Sequence, residues 1–272
     1  MLSDITLGQY FPIKSPIHSL DPRIKILSVL LYVITVFFAV DIWGYLFVAI
    51  FTITIVLMSK VPFKLFLKSL KPLIFIVIFT AFINIFMSSG KVVVINNYPL
   101  KWGVFKVTYE GLIMAVKMAV RLIFLVIGTS ILTFTTSPII LTDGIEKLLS
   151  PFKKIGVPAH ELAMMMTIAI RFIPTLLEET DKIIKAQKAR GADFESGNLI
   201  KRVKALVPIL VPLFISSFRR ADELAIAMEC RCYHGGEGRT RMKELKFKSG
   251  DFIASFVMIL FPVVLALINI FV

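Results

Sequence analysis

Five stretches of the chain, residues 24–40, 43–58, 72–88, 111–133 and 252–271, run almost without charge and are rich in leucine, isoleucine, valine and phenylalanine. Such runs approach or meet the ~17–25 residues that a helix needs to cross about 30 Å of hydrocarbon. In that medium peptide groups must bond to one another, so each run is predicted to be a helix. With 57% hydrophobic residues and a mean hydropathy of +0.84, the chain reads as an all-α polytopic membrane protein with about five transmembrane helices.

Residues 24–40 and 43–58 are separated by little more than Asp41, which makes them a tight hairpin. Ahead of them, Asp21 is placed to cap the free amides of the first helix, and Pro22 suits its first turn. Residues 1–21 show no apolar core followed by a small-residue cleavage site, so no signal peptide is expected. Lys60, Lys64, Lys68 and Lys71 alternate with Phe63, Leu65, Phe66, Leu67 and Leu70 in a basic amphipathic stretch. The positive-inside rule puts that stretch, and the N-terminus with it, on the cytoplasmic side of the plasma membrane. The loop 90–110 then falls outside, although Lys91, Lys101 and Lys106 make it unusually basic for that side.

The first four runs contain no Asp or Glu in their interiors, so a proton- or sodium-coupled carrier has little to build a site from. Lys117 and Arg121 lie one turn apart in the fourth run; Lys117 is expected to reach the outer interface and Arg121 to bond carbonyl groups within the bundle. The net charge of +13 sits beside apolar runs and forms no continuous stripe. That distribution suits an anionic lipid bilayer or acidic protein partners and speaks against nucleic acid.

After Pro138 the texture changes. Ile145, Leu148, Leu149 and Phe152 mark a short surface helix. Two long runs follow, each apolar at first and charged later; the first is interrupted by Arg171 and is expected to bend at Pro174. Placing their connection outside would put Lys182, Lys185, Lys188, Arg190, Lys201, Arg202 and Lys204 there, against the positive-inside rule. The expected organisation is therefore a membrane domain over 1–136, a cytoplasmic domain of two long crossing amphipathic helices over 137–248, and a transmembrane helix over 249–272. The stripes Leu176, Thr180, Ile183, Ile184, Gln187 and Phe214, Phe218, Ala221, Ala225, Met228 are expected to meet at the crossing.

The two long runs end alike. With Arg190 laid on Arg231, Asp181 pairs with Asp222, Ala186 with Ala227, and Ala189-Arg190-Gly191 with Cys230-Arg231-Cys232. A basic residue in a last helical turn offsets the helix dipole, which explains one such end but not the repeat. An arginine between small residues at a helix tip is a fork for carboxylates and carbonyl groups that another backbone can approach closely. The glycine-rich run 235–240 lacks the lysine and the upstream glycine of a phosphate loop. Cys230, Cys232 and His234 do not make a four-ligand metal set. No catalytic residues, metal or cofactor are assigned.

These residues carry a resemblance. The motifs at 15–23 (Ser-Pro-Ile-His-Ser-Leu-Asp-Pro-Arg), 135–138 (Thr-Thr-Ser-Pro), 170–176 (Ile-Arg-Phe-Ile-Pro-Thr-Leu), 186–191 (Ala-Gln-Lys-Ala-Arg-Gly) and 220–240 resemble the transmembrane (T) component of energy-coupling factor (ECF) transporters, the family that includes the cobalt-transport permeases. The second arginine end departs from the pattern, with Cys230 and Cys232 in place of alanine and glycine. The resemblance implies a non-catalytic scaffold whose arginine ends each receive one ABC-type ATPase; the unequal ends, one Ala-Arg-Gly and one Cys-Arg-Cys, suit two ATPases that differ. It also implies a small membrane S component that captures a vitamin or metal. Arg171 and Pro174 are assigned to the bend in the first long helix. The rival readings are a membrane-embedded lipid-modifying enzyme, with Glu178, Glu179 and Asp181 as its acidic candidates, and, further off, a secondary transporter.

Overall fold

The computed structural model describes residues 10–87, 94–95, 98–99, 101–102, 105–106, 108–192, 194, 199–236 and 245–271. Residues 1–9 and 237–240, on which part of the signal-peptide reading and of the glycine-rich loop falls, lie outside them. The chain divides into two compact units, one made of Tyr10–Ser137 and Leu245–Val272, the other containing Pro138–Glu244.

The first unit holds α1 (Pro22–Phe37), α2 (Ile42–Ser59), α3 (Phe63–Leu70), α4 (Ile74–Met87), α5 (Tyr109–Thr135) and α9 (Ser249–Phe271). Asp21 caps α1 as expected, its side chain accepting from the Arg23 amide, with Pro22 at the helix start. Between α4 and α5, two ladders of two residues each pair Val94–Ile95 with Tyr98–Pro99 and Lys101–Trp102 with Phe105–Lys106. The second unit holds α6 (Pro138–Leu149), a short 3-10 turn (Ser150–Ile155), α7 (Ala159–Ala189) and α8 (Leu199–Glu229).

Among the described residues, five helical runs are long and apolar enough to cross a membrane: α2, Phe63–Phe86 through α3 and α4, α5, α7 and α9. The number equals the sequence expectation, but the membership differs. Here α1 has only 16 residues, because the chain turns at Phe38, whose amide bonds back to the Thr35 carbonyl. At 1.5 Å per residue α1 covers about 24 Å. By length and composition α7 joins the set through its apolar first half.

The membrane unit is packed where helices cross and apolar outside. Tyr32, Val36, Ala39, Tyr45, Val48, Phe261 and Leu265 form one buried cluster, in which the Phe261 ring stacks 4.0 Å from that of Phe51. Val61, Phe66, Ile131 and Phe134 form a second, with Phe66 and Phe134 edge to face at 5.2 Å. Phe75, Ile78, Phe79 and Phe82 of α4 are exposed, the arrangement a hydrocarbon solvent favours. Hydroxyls in the helices bond to the preceding turn, as Thr35 to Leu31 and Thr135 to Ile131, both at 2.7 Å. Arg121 donates to the Ala39 carbonyl at 2.9 Å, as expected of it. Lys117, expected to reach for the interface, donates to the Val40 carbonyl at 2.7 Å in the connection between α1 and α2.

His18 is held at both ring nitrogens. Nε2 lies 3.0 Å from the Phe11 carbonyl, which can only accept, so Nε2 carries the proton and Nδ1 accepts from Ser15 Oγ at 2.7 Å. Burial lowers its pKa below the ordinary 6.5, partly opposed by the bond to Phe11, and the charge of Lys25 lowers it further. As pH falls the unfolded chain therefore takes the proton first. The stability this group contributes is complete above about 6.5 and is lost as pH drops through the lower folded value. Thermal unfolding of the purified protein from about pH 7 down to about pH 5 is expected to show a falling midpoint, and His18→Gln to flatten that slope.

Candidate functional site

The repeated helix end is a repeated structure. At the end of α7 the Gly191 amide bonds to the Lys188 carbonyl at 3.0 Å and the Ala192 amide to the Gln187 carbonyl at 3.0 Å. At the end of α8 the Cys232 amide bonds to Glu229 at 2.8 Å and the Tyr233 amide to Met228 at 3.1 Å. This is the Schellman closure, written twice in the same register. It puts Arg190 and Arg231 at the two C-caps and gives the following residue a left-handed backbone, with φ of +83° at Gly191 and +53° at Cys232. Ala189, Arg190, Gly191, Cys230, Arg231 and Cys232 are all exposed, and both cysteines are free thiols.

The helices that carry these ends run antiparallel. Gln187 late in α7 donates to the Pro208 carbonyl early in α8 at 3.3 Å, whereas Glu179 accepts from Arg220 further along α8 at 2.9 Å. Glu179 and Arg220 are themselves equivalent in the repeat that equates Arg190 with Arg231. Equivalent positions touch only near an axis that exchanges the two helices, so the crossing is a local pseudo-two-fold. From that contact each arginine lies eleven residues away, about 16 Å along its helix, and the two lie in opposite directions. Replacing Glu179 with Gln and Arg220 with Met, singly and together, is expected to give a coupling of about 1 kcal/mol, because the pair is partly exposed. Urea or thermal unfolding of the four proteins measures it.

The contact face of α8 differs from the expected one. Phe214 and Phe218 are 65% and 56% exposed and meet edge to face, their ring centres 4.6 Å apart. The sheltered line runs through Ala205, Ile209, Leu213, Ser216, Arg220, Leu224 and Met228, about one residue around the helix. On α7 the expected stripe of Leu176, Thr180, Ile183, Ile184 and Gln187 is half-buried throughout. Arg171 is exposed on α7, which continues as one helix through Pro174.

Behind the second arginine end the chain folds back. The Tyr233 hydroxyl lies 3.4 Å from His160 Nε2 at the start of α7, and His160 Nδ1 lies 3.1 Å from Glu146 of α6. The sequence reading missed this bracket and the Glu179–Arg220 pair. The pair was accessible from the repeat, which sets an acid opposite a base at equivalent positions; the bracket has no such local signal.

Residues 13–242 match the family model described as CbiQ, cobalt transport protein. Three similar proteins are each named energy-coupling factor transporter transmembrane protein EcfT. That of Clostridium kluyveri is 64% identical over 256 residues, 94% of this chain and 93% of its own length. That of Ruminiclostridium cellulolyticum is 56% identical over 261 residues, 96% of each chain. That of Bacillus subtilis is 48% identical over 251 residues, 92% of this chain and 93% of its own.

Proposed function

Because the chain belongs to the CbiQ family of cobalt transport proteins, in which its relatives are transmembrane components of energy-coupling factor transporters, we propose that it is the non-catalytic scaffold of such an importer and that Arg190 and Arg231 each dock one ABC-type ATPase. The observation that carries this reading is the pair of Schellman ends, each with an exposed arginine at the same distance from a pseudo-two-fold crossing. Two ATPases that associate face to face offer two similar clefts about their own axis. A helix pair with equivalent tips pointing opposite ways is a matching plug.

In this mechanism the α6–α8 unit is cytoplasmic. ATP-driven closure of the ATPase pair draws the two tips together and changes the angle at which α7 and α8 cross. A small membrane S component, which captures a vitamin or metal micronutrient, is tilted by that change and releases its cargo inward. Each guanidinium offers a planar fork for carboxylate or carbonyl groups, and the small flanking residues allow a partner's backbone to come close. The acidic cluster at Glu178, Glu179 and Asp181 suits this scaffold better than an enzyme, because Glu179 is engaged with Arg220 at the crossing.

Purification of the tagged chain at native expression level, followed by identification of what accompanies it, tests the reading. Two ATP-binding subunits and a small hydrophobic protein are expected. A bound substrate lipid without ATPases supports the lipid-modifying alternative, and the chain alone supports the secondary transporter.

A further inference from the structure

Two motifs of the sequence play no part in docking, residues 15–23 and 135–138. The fold brings them together inside the membrane unit. The Lys25 ammonium, in a residue only 7% exposed, donates to the Thr135 carbonyl at 3.0 Å, to Thr136 Oγ1 at 3.3 Å and to the His18 carbonyl at 3.2 Å. Its three protons thus meet three acceptors. Asp251, 1% exposed in the first turn of α9, accepts from the backbone amide of Asp21 at 2.8 Å through Oδ1 and from that of Lys248 at 2.7 Å through Oδ2. Asp21 holds the Arg23 guanidinium in a fork at 2.9 and 2.8 Å, and that guanidinium lies 3.9 Å from the centre of the Phe247 ring. Nearby, the Phe11 amide donates to the Phe134 carbonyl at 2.9 Å.

One short stretch, residues 11–25, therefore grips both the end of α5 and the start of α9. Those are the two points at which the chain leaves the membrane unit for the α6–α8 unit and comes back. Helix capping alone does not require this. Asp21 caps α1 through its own bond to the Arg23 amide, and Asp251 needs only Lys248 to close the start of α9. The bonds from Asp251 to the Asp21 amide and from Lys25 to Thr135 are cross-connections, made between groups 230 and 110 residues apart in sequence. They are buried, so their partners cannot be replaced by water without cost.

We propose that this cluster is the joint by which force enters the membrane unit: it fixes both connections of the docking unit to the head of α1, so that motion delivered by the ATPases reaches the bilayer first as movement of α1. Asp21, Lys25 and Asp251 are its positioning residues. The proposal rests on the docking reading above and adds to it the route that the motion takes.

Hydrogen exchange on the intact complex, purified with its ATPases and compared without nucleotide and after ATP turnover has trapped ADP with vanadate, tests the route. In the wild-type complex nucleotide trapping is expected to change exchange both in residues 138–150 and in residues 10–21. In Lys25→Met and Asp251→Asn the change at 138–150 is expected to persist and that at 10–21 to be lost, with nucleotide-free exchange elsewhere in the membrane unit unaltered. Survival of the change at 10–21 in both variants overturns the proposal. So does its absence from a wild-type complex whose residues 138–150 respond. Should the charge variants not assemble, Thr136→Val, which removes one acceptor of Lys25 and leaves every charge in place, carries the same comparison. A wild-type chain that brings down no ATPase overturns the docking reading and, with it, this route.

Discussion

Arg190→Ala and Arg231→Ala are each expected to weaken the hold on one ATPase by roughly 2 to 5 kcal/mol, the range found when one partner of a desolvated, hydrogen-bonded charge pair is removed. Each factor of ten in affinity is worth about 1.4 kcal/mol, so even the lower figure weakens the hold about thirtyfold. Neither change should unfold the chain, because both side chains are exposed and each helix end is closed by backbone bonds that alanine retains. Co-purification and size-exclusion chromatography of the two variants against the wild type measure the effect. If both variants keep their ATPases and their uptake, the docking assignment is wrong. Lysine in place of either arginine is expected to restore only part of the hold, since it keeps the charge and loses the planar fork.

The largest effect on the membrane unit itself is expected at Gly128. There α5 passes so close to α1 that a Cβ atom would overlap the edge of the Tyr32 ring, nearest Cε1 and 2.6 Å from Cδ1. That ring cannot simply step aside. Its hydroxyl is tied to Thr52 Oγ1 at 2.7 Å and to the Phe124 carbonyl at 3.2 Å, and its face stacks against Phe261. Overpacking of this kind costs about 1 to 3 kcal/mol, and Gly128→Ala is expected at the upper end because hydrogen bonds are displaced as well. Thermal stability of the detergent-solubilised protein measures it. Gly250→Ala, at a position with nothing within 4 Å of the added carbon, serves as the control.

What could be read from the chain beforehand follows from how few alternatives each environment allows. Hydrocarbon leaves an apolar run little choice but a helix, so the runs over α2, α4, α5 and α9 could be located from composition alone. It also removes the usual guide to helix orientation. Apolar character alone put Phe214 and Phe218 on the inward face of α8, and here they are outward. The arginine ends were legible because they are local and occur twice. The left-handed backbone at residue 232 was not, because cysteine gives no hint of a conformation that glycine adopts freely and other residues at a cost of about 1 kcal/mol. The joint around Lys25 lay further out of reach: its motifs were visible, but nothing in a single chain links Asp21 to Asp251 across more than two hundred positions.

The way α9 closes the membrane unit has a consequence for how the molecule is made. Phe261 and Leu265 complete the buried cluster that α1 and α2 begin, and they come from α9, Ser249–Phe271, which follows both arginine ends in the chain. A ribosome therefore releases both arginine ends before the bilayer half of the protein has its core. During synthesis the early helices must wait in the lipid with the groove for α9 open, and a chain cut short after α8 would carry both arginine ends on an unfinished membrane base.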